Sequence, residues 1–210
     1  MLAIHKEILT ENQTKLLPVL ESFSRSFGLV GGTAIALQIG HRRSIDFDMF
    51  TLGKFSNTRV KNKILDDIKI DEILVSRLDE LTFIARGVKF TFFRYIYEIP
   101  YSVKLGSKIR MPDLLTLAAM KAFALGQRSK WKDYVDLYFI MRDFHRMGEI
   151  IKKGEELFGG EFNDKLFKMQ VGYFDDIRYN EAVEFMPGFE VSDEEIKNKL
   201  VEYSMEWVKK

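Results

Sequence analysis

The sequence predicts a sheet domain of α/β or α+β type followed by a helical C-terminal part. Three observations predict it. Up to about residue 105, segments with period-two apolar alternation interleave with segments of helical spacing. A glycine pair, Gly31-Gly32, separates a short apolar run from a helical one. After Pro112 the strand signals give way to apolar and amphipathic helical stretches. The order helix, strand, helix, strand, helix and then further strands is that of a sheet covered by helices.

Each element has its own warrant. Between Asn12 and Phe27 the apolar residues Leu16, Leu17, Leu20, Phe23 and Phe27 recur at helical spacing despite Pro18 in the early turns. Gly28-Leu29-Val30 reads as a short buried strand, and Thr33 to Ile39 as a helix stopped by Gly40. Ile45 to Phe50 alternates with period two, which directs Ile45, Phe47 and Met49 to the core and Asp46 and Asp48 to the opposite face. Residues 58–69 read as a surface helix, and 81–85 with 88–97 as a hairpin turning at Arg86-Gly87. Downstream, 113–125, 131–144 and 148–158 read as helices, and Ser192 with Glu195 forms a capping box before a last helix running to the end. The expected division is a sheet core over 1–105 and a helical region over 106–210 packed on it.

The composition narrows the chemistry. With 46% hydrophobic residues and 18 Phe, the 210-residue chain can build a core and is not intrinsically disordered. No apolar run approaches the ~20 residues of a membrane span, so no membrane partner is expected. The first residues lack the apolar stretch of a secretory signal, which makes the cytoplasm the expected compartment. The absence of cysteine excludes disulfides, a thiol nucleophile and thiolate zinc sites. Only His5, His41 and His145 are available as imidazoles, so metal or hydrolytic chemistry rests on carboxylates. The phosphate-loop, dinucleotide-fingerprint, zinc-protease and nucleophile-elbow motifs are also missing, which removes the commonest NTPase, dehydrogenase and hydrolase readings.

What is present is Gly31-Gly32-Thr33 and, after a further helix and loop, Asp46-Phe47-Asp48. Glycines between a strand and a helix allow a sharp turn whose N–H groups meet an anion at the positive end of the helix, with the Thr33 hydroxyl as a further donor. Asp46 and Asp48 would lie about 6.6 Å apart along one strand face. Such a pair can bridge divalent ions, and ligation by oxygen alone suits Mg²⁺ or Mn²⁺. Either motif alone is weak, since tight Gly-Gly turns and solvated Asp-x-Asp strands are common. Their conjunction points to a nucleoside triphosphate held with its α-phosphate at the metals.

The segment LVGGTAIALQIGHRRSIDFDMF resembles the first motif of the AbiEii/AbiGii-type nucleotidyltransferase toxin family, within the polymerase-beta-like superfamily. MKAFALGQRSKWKDYVDLYFI, residues 120–140, is similar to its downstream signature of a helical Lys, a basic turn and Lys-Asp-x-x-Asp. The resemblance covers roughly residues 10–145. It implies an α+β fold, a mixed-sheet nucleotidyltransferase core with a helical C-terminal part, and Mg²⁺-dependent transfer of a nucleotide from an NTP. Carried over residue by residue, Gly31, Gly32 and Thr33 would hold the β- and γ-phosphates, and Asp46 and Asp48 would ligate the metals. In the loop before the strand, Ser44 would orient the strand end and one arginine, Arg42, would meet phosphate. Lys121 would reach the triphosphate from its helix, with Arg128, Lys130 and Lys132 following in the turn. Asp133 and Asp136, three apart on one helical face, would order those cations or act in proton transfer. The family's relatives imply an RNA, tRNA or protein acceptor and a cognate antitoxin as partner.

One departure stands out. Many enzymes of that superfamily place a third carboxylate on a later strand, and the corresponding strand here, 88–95, has neither Asp nor Glu. Three functions therefore compete: a nucleotidyltransferase, a non-catalytic nucleotide- or RNA-binding module that retains the phosphate cradle, and a scaffolding subunit. The charge pattern suggests an anionic ligand for the middle of the chain, although composition alone would favour a solvated surface on which charges happen to cluster. Residues 86–132 hold ten Lys/Arg against two Asp/Glu, whereas 149–210 hold nine against fifteen. On this reading the acidic tail is a solvated helical cap.

Overall fold

The structure, a computed structural model, describes residues 3–125, 127–177, 179 and 182–206. The chain divides into two compact units, Met1–Asp113 and Leu114–Lys210.

In the first unit, helix α1 (Glu11–Phe23) starts at a capping box. The Thr10 hydroxyl accepts from the Gln13 N–H, and the Gln13 amide oxygen accepts from the Thr10 N–H. Pro18 is tolerated inside α1 on an exposed position. Strand β1 (Gly28–Val30) leads directly into α2 (Gly31–Ile39), whose apolar residues are buried all round, as suits a helix inside the fold. Strand β2 (Phe47–Thr51) and α3 (Asn57–Leu65) follow, then β3 (Glu72–Arg77), β4 (Glu80–Ala85) and β5 (Val88–Arg94). The five strands form one sheet in the order β1-β2-β5-β4-β3. Only the β2–β5 pairing is parallel, so the sheet is mixed and the fold is α+β. Arg86 (φ 51°) and Gly87 (φ 73°) turn the β4–β5 hairpin, both in the left-handed region that a two-residue I′ turn requires.

The sheet has one dry face. Phe47, Met49, Leu81, Phe83, Phe90 and Phe92 are buried on it, and Phe23 and Phe27 of the α1 region meet Phe92 edge-on at 4.9 and 5.1 Å. Each such side chain contributes about 1.5–3 kcal/mol by leaving water. On the opposite face Asp48 and Phe50 of β2 and Lys89, Thr91 and Phe93 of β5 are half-buried.

Several elements differ from the sequence reading. The strand expected from Ile45 begins at Phe47, and Ile45 is 50% exposed rather than in the core, because the chain is still arriving from the preceding loop. Strand β3 was not expected. It lies at the sheet edge with nearly all of its side chains in water, so no alternation marks it. A hairpin of β6 (Val103–Leu105) and β7 (Ile109–Met111) carries the first unit past residue 105, in strands too short to show a period.

The second unit is helical: α4 (Leu114–Leu125), α5 (Trp131–Asp143), α6 (Met147–Phe158), α7 (Asp164–Val171) and α8 (Asp193–Glu206). The short α7 was also not expected; Asn163 caps it by accepting from the Leu166 N–H at 2.9 Å. At α8 the Ser192 hydroxyl accepts from the Glu195 N–H at 3.1 Å, one half of the expected capping box, while Glu195 Oε1 accepts from the Tyr138 hydroxyl at 3.2 Å. The last four residues of that expected helix lie outside the described residues. None of the described helices is long and apolar enough to cross a membrane.

Candidate functional site

The Gly-Gly turn is built for close approach. Gly31 opens α2 with φ 73°, and a side chain there would overlap the Asp48 carboxylate. At Gly32 an added Cβ would stand 2.7 Å from Arg42 Nη2 and 3.3 Å from Ser44 Oγ. Only a bare backbone fits between a carboxylate on one side and a guanidinium on the other. The first turn of α2, whose N–H groups have no acceptor within the helix, therefore begins beside Asp48 and Arg42.

Polar bonds lock the loop between α2 and β2 against that turn. The Thr33 hydroxyl is within hydrogen-bond distance of Ser44 Oγ at 2.9 Å and also donates to the Asp46 carbonyl. Gln13 Nε2 donates to the Ser44 carbonyl at 2.8 Å, so the capping glutamine of α1 also holds this loop. Arg42 is buried and donates from Nη1 to the Arg43 carbonyl at 2.9 Å. The structure thus brings Gly31, Gly32, Thr33, Arg42, Ser44, Asp46 and Asp48 together. Thr33 and Ser44 are buried within the loop, where the Thr33 hydroxyl bonds the Asp46 carbonyl and meets the Ser44 hydroxyl.

Asp46 precedes β2 and Asp48 lies in it, both half-buried on the face away from the core. The parallel register pairs Phe47 with Phe90 and Asp48 with Thr91. It therefore sets Lys89 of β5 beside Asp46, and Lys89 Nζ meets Asp46 Oδ2 at 2.5 Å. Sequence reasoning missed Lys89. It stands on the strand found to lack Asp and Glu, and what gives it a role is a parallel pairing between strands some forty residues apart. Among the described residues no group of three or more Asp, Glu, His or Cys could hold a metal. Two carboxylates fit a Mg²⁺ ion, which characteristically takes one or two carboxylates and completes its shell with phosphate oxygens and water.

The second unit gathers the remaining expected residues. Lys121 of α4 is buried, and its Nζ lies 2.7 Å from Asp133 Oδ1 and 2.7 Å from Asp136 Oδ2, both on α5. Arg128 Nε meets Asp133 Oδ2 at 3.1 Å from a more exposed position. Burial pushes the Asp133 carboxyl up, but Lys121 and then Arg128 outweigh it and hold the group below its ordinary value. The anion that a buried Lys121 demands is thus this carboxylate pair. Arg128 and Lys130 also line a cleft of about 420 Å³ with Gln127, Ser129, Gln170 and Asp176. Lys132 is half-buried in the first turn of α5.

These features define, at the level of architecture, an α+β protein with a mixed sheet and two carboxylates, one in β2 and one just before it, beside a Gly-Gly helix start. Solved structures of nucleotidyltransferases share this fold. The MenT4 nucleotidyltransferase toxin from Mycobacterium tuberculosis H37Rv is 13% identical, with 89% of this chain and 79% of that one covered at a TM-score of 0.59. A proposed nucleotidyltransferase from H. pylori is 17% identical, with 94% of each chain covered at 0.55. JHP933 from Helicobacter pylori is 18% identical, with 96% of this chain and 94% of that one covered, also at 0.55. No protein-family model matches the chain. It belongs to the same family as the uncharacterized protein aq_aa25 of Aquifex aeolicus (strain VF5), to which it is 33% identical over 184 residues, 84% of this chain and 87% of that protein.

Proposed function

We propose that this protein is a nucleotidyltransferase of the AbiEii/AbiGii type that moves a nucleotide from an NTP to a hydroxyl of an RNA, a tRNA end or a protein. The observation that carries the reading is the convergence of the Gly31-Gly32 helix start, Arg42, Asp46 and Asp48 at one edge of the sheet. The first-turn N–H groups of α2 receive the β- and γ-phosphates, where the helix dipole favours anionic charge. Asp46 and Asp48 hold Mg²⁺ or Mn²⁺, which neutralises charge on the α-phosphate when bound. The acceptor hydroxyl attacks the α-phosphorus in line and gives its proton to water, the α–β anhydride bond breaks, and pyrophosphate leaves with the electron pair of that bond. Such a reaction needs positioning and fixed charge, and no protein nucleophile. Lys89, already paired with Asp46, supplies one positive charge on the β5 side, which fits a single resident ion better than two. In the second unit, Arg128 and Lys130 on the cleft rim are the cations for a further phosphate group. A toxin role held in check by an antitoxin in the cytoplasm is the matching biology.

The test is transfer of label from each of the four NTPs, with Mg²⁺, to total RNA and to lysate protein. One pool should be labelled, and Asp46→Ala and Asp48→Ala should each lower labelling on the order of a hundredfold or more. The binding-module reading draws on the Lys89–Asp46 pair, which occupies one of only two acids. It prevails if the wild type binds NTP tightly and labels neither pool.

A further inference from the structure

The half-buried sheet face is ordered in rows that the strand register makes explicit. Residues paired across neighbouring strands present their side chains to the same face. Asp48 pairs with Thr91, and Thr91 with Thr82, which makes a polar row. Two residues further along β2, about 6.6 Å, Phe50 pairs with Phe93 on β5 and with Gly28 on β1. Gly28 has no side chain, and the Tyr101 ring fills the space where its Cβ would be, with the Tyr101 hydroxyl donating to the Phe50 carbonyl at 3.2 Å. Phe50 lies 5.3 Å from Phe93 and 5.2 Å from Tyr95, which lies 5.3 Å from Tyr97, between ring centroids. The polar row is therefore followed by an aromatic one.

These rings differ from the core rings. Phe47, Phe83, Phe90 and Phe92 on the opposite face are at most 1% exposed. Phe50, Phe93, Tyr95 and Tyr97 all remain half-buried, with the exposed Ile96 beside them. A contiguous half-exposed aromatic surface one strand step from a pair of carboxylates is suited to a flat, apolar, π-faced group. A nucleobase is such a group, and aromatic side chains on a sheet surface hold bases by stacking.

We propose that Phe50 and Phe93, extended by Tyr95, form the stacking platform for the base of the donor NTP. The inference rests on the nucleotidyl-transfer reading. The occupant follows from position along the strand: the pairing of Val30 with Asp48 sets the helix start level with the carboxylates, and the rings lie one step further on. A nucleotide has the same two-step layout, its phosphates together at one end and its base one ribose away. The Phe50 and Phe93 rings, inclined at 48° to one another, carry no hydrogen-bonding group, so the platform accepts all four bases and favours the larger purine surface.

The experiment is calorimetric titration of the full chain, in Mg²⁺, with ATP and with inorganic tripolyphosphate. The wild type should bind ATP the more tightly. Phe93→Ala should weaken ATP about tenfold and leave tripolyphosphate unchanged, while Phe93→Tyr retains ATP affinity. Phe93→Leu, which keeps apolar bulk without a π-face, should resemble Phe93→Ala and guards against a folding defect, with thermal melting as the check. The inference is overturned if ATP binds no better than tripolyphosphate, or if Phe93→Leu weakens both or neither. It is also overturned if the loss appears only with a short single-stranded RNA, which would make the platform the acceptor's. A wild type that binds neither phosphate compound fails at the functional reading itself and takes this inference with it.

Discussion

The two units hold their carboxylates in opposite ways. Asp46 and Asp48 sit half-buried at the start of a strand, beside backbone that glycine leaves bare. Asp133 and Asp136 are buried on α5, with Lys121 of α4 between them at 2.7 Å from each. The first arrangement can exchange partners, because water and a ligand can reach it. The second is a closed ionic set in which each charge satisfies another. An Asp-x-Asp and an Asp-x-x-Asp look alike as sequence motifs, and what separates their roles is the solvent each keeps. The two readings of Lys121 differ in what its removal does. A Lys121 that serves only to meet a triphosphate could be removed with little effect on folding, whereas a Lys121 that neutralises two buried carboxylates cannot.

The largest expected effect follows from that contrast. Lys121→Met leaves Asp133 and Asp136 buried without their ammonium, and breaking such a set costs roughly 3–5 kcal/mol. Urea denaturation of the variant should show a loss of that order. Adding Asp133→Asn and Asp136→Asn to Lys121→Met should restore much of it, because the uncompensated charge is then gone. A loss of under about 1 kcal/mol, typical of exposed pairs, would erase the distinction between the two units.

A smaller effect should appear in acid. The Asp133 carboxyl is held below its ordinary value of 3.8. The folded state therefore binds that proton less readily than the unfolded chain does. The resulting stabilisation is complete above the ordinary value and is lost as pH falls below 3.8 through the lowered one. Stability measured down this range should fall in the wild type and fall less steeply in Asp133→Asn. Equal slopes would mean that Lys121 and Arg128 do not favour the charged form.

Much of this is legible in the sequence. The Gly31-Gly32 turn, the Asp46 and Asp48 face and the Arg86-Gly87 hairpin follow from local chemistry: a backbone that glycine favours, a period of two, and a turn with two positive φ angles. The closeness of Lys121 to Asp133 and Asp136 was half legible, since a buried lysine demands an anion but the sequence does not say whether that anion is internal. Lys89 was not legible, because its role depends on which strand lies parallel to β2. Strand β3 was hidden for a different reason. At a sheet edge with nearly all of its side chains in water, nothing enforces alternation. The Thr33 hydroxyl shows a further limit. Its residue type suits phosphate, yet its geometry serves the Asp46 carbonyl.

The smallest expected effect on folding belongs to Lys89, which makes it the sharpest probe of the contrast. Lys89 and Asp46 keep side-chain exposures of 32% and 30%, so their pair is screened by water. Lys89→Gln should change stability by no more than about 1 kcal/mol. Its consequence should lie in what binds. In the wild type a divalent ion reaching Asp46 must displace an ammonium held at 2.5 Å. With glutamine there, only a neutral amide gives way, and Mn²⁺ affinity followed by electron paramagnetic resonance should rise severalfold. Lys89→Arg should stay near the wild type, since it keeps the charge. If Lys89→Gln instead unfolds the protein as Lys121→Met does, with no gain in Mn²⁺ binding, then Asp46 belongs to a closed ionic set as well. In that case the half-exposed pair is scaffold, and the carboxylates that meet a ligand lie elsewhere.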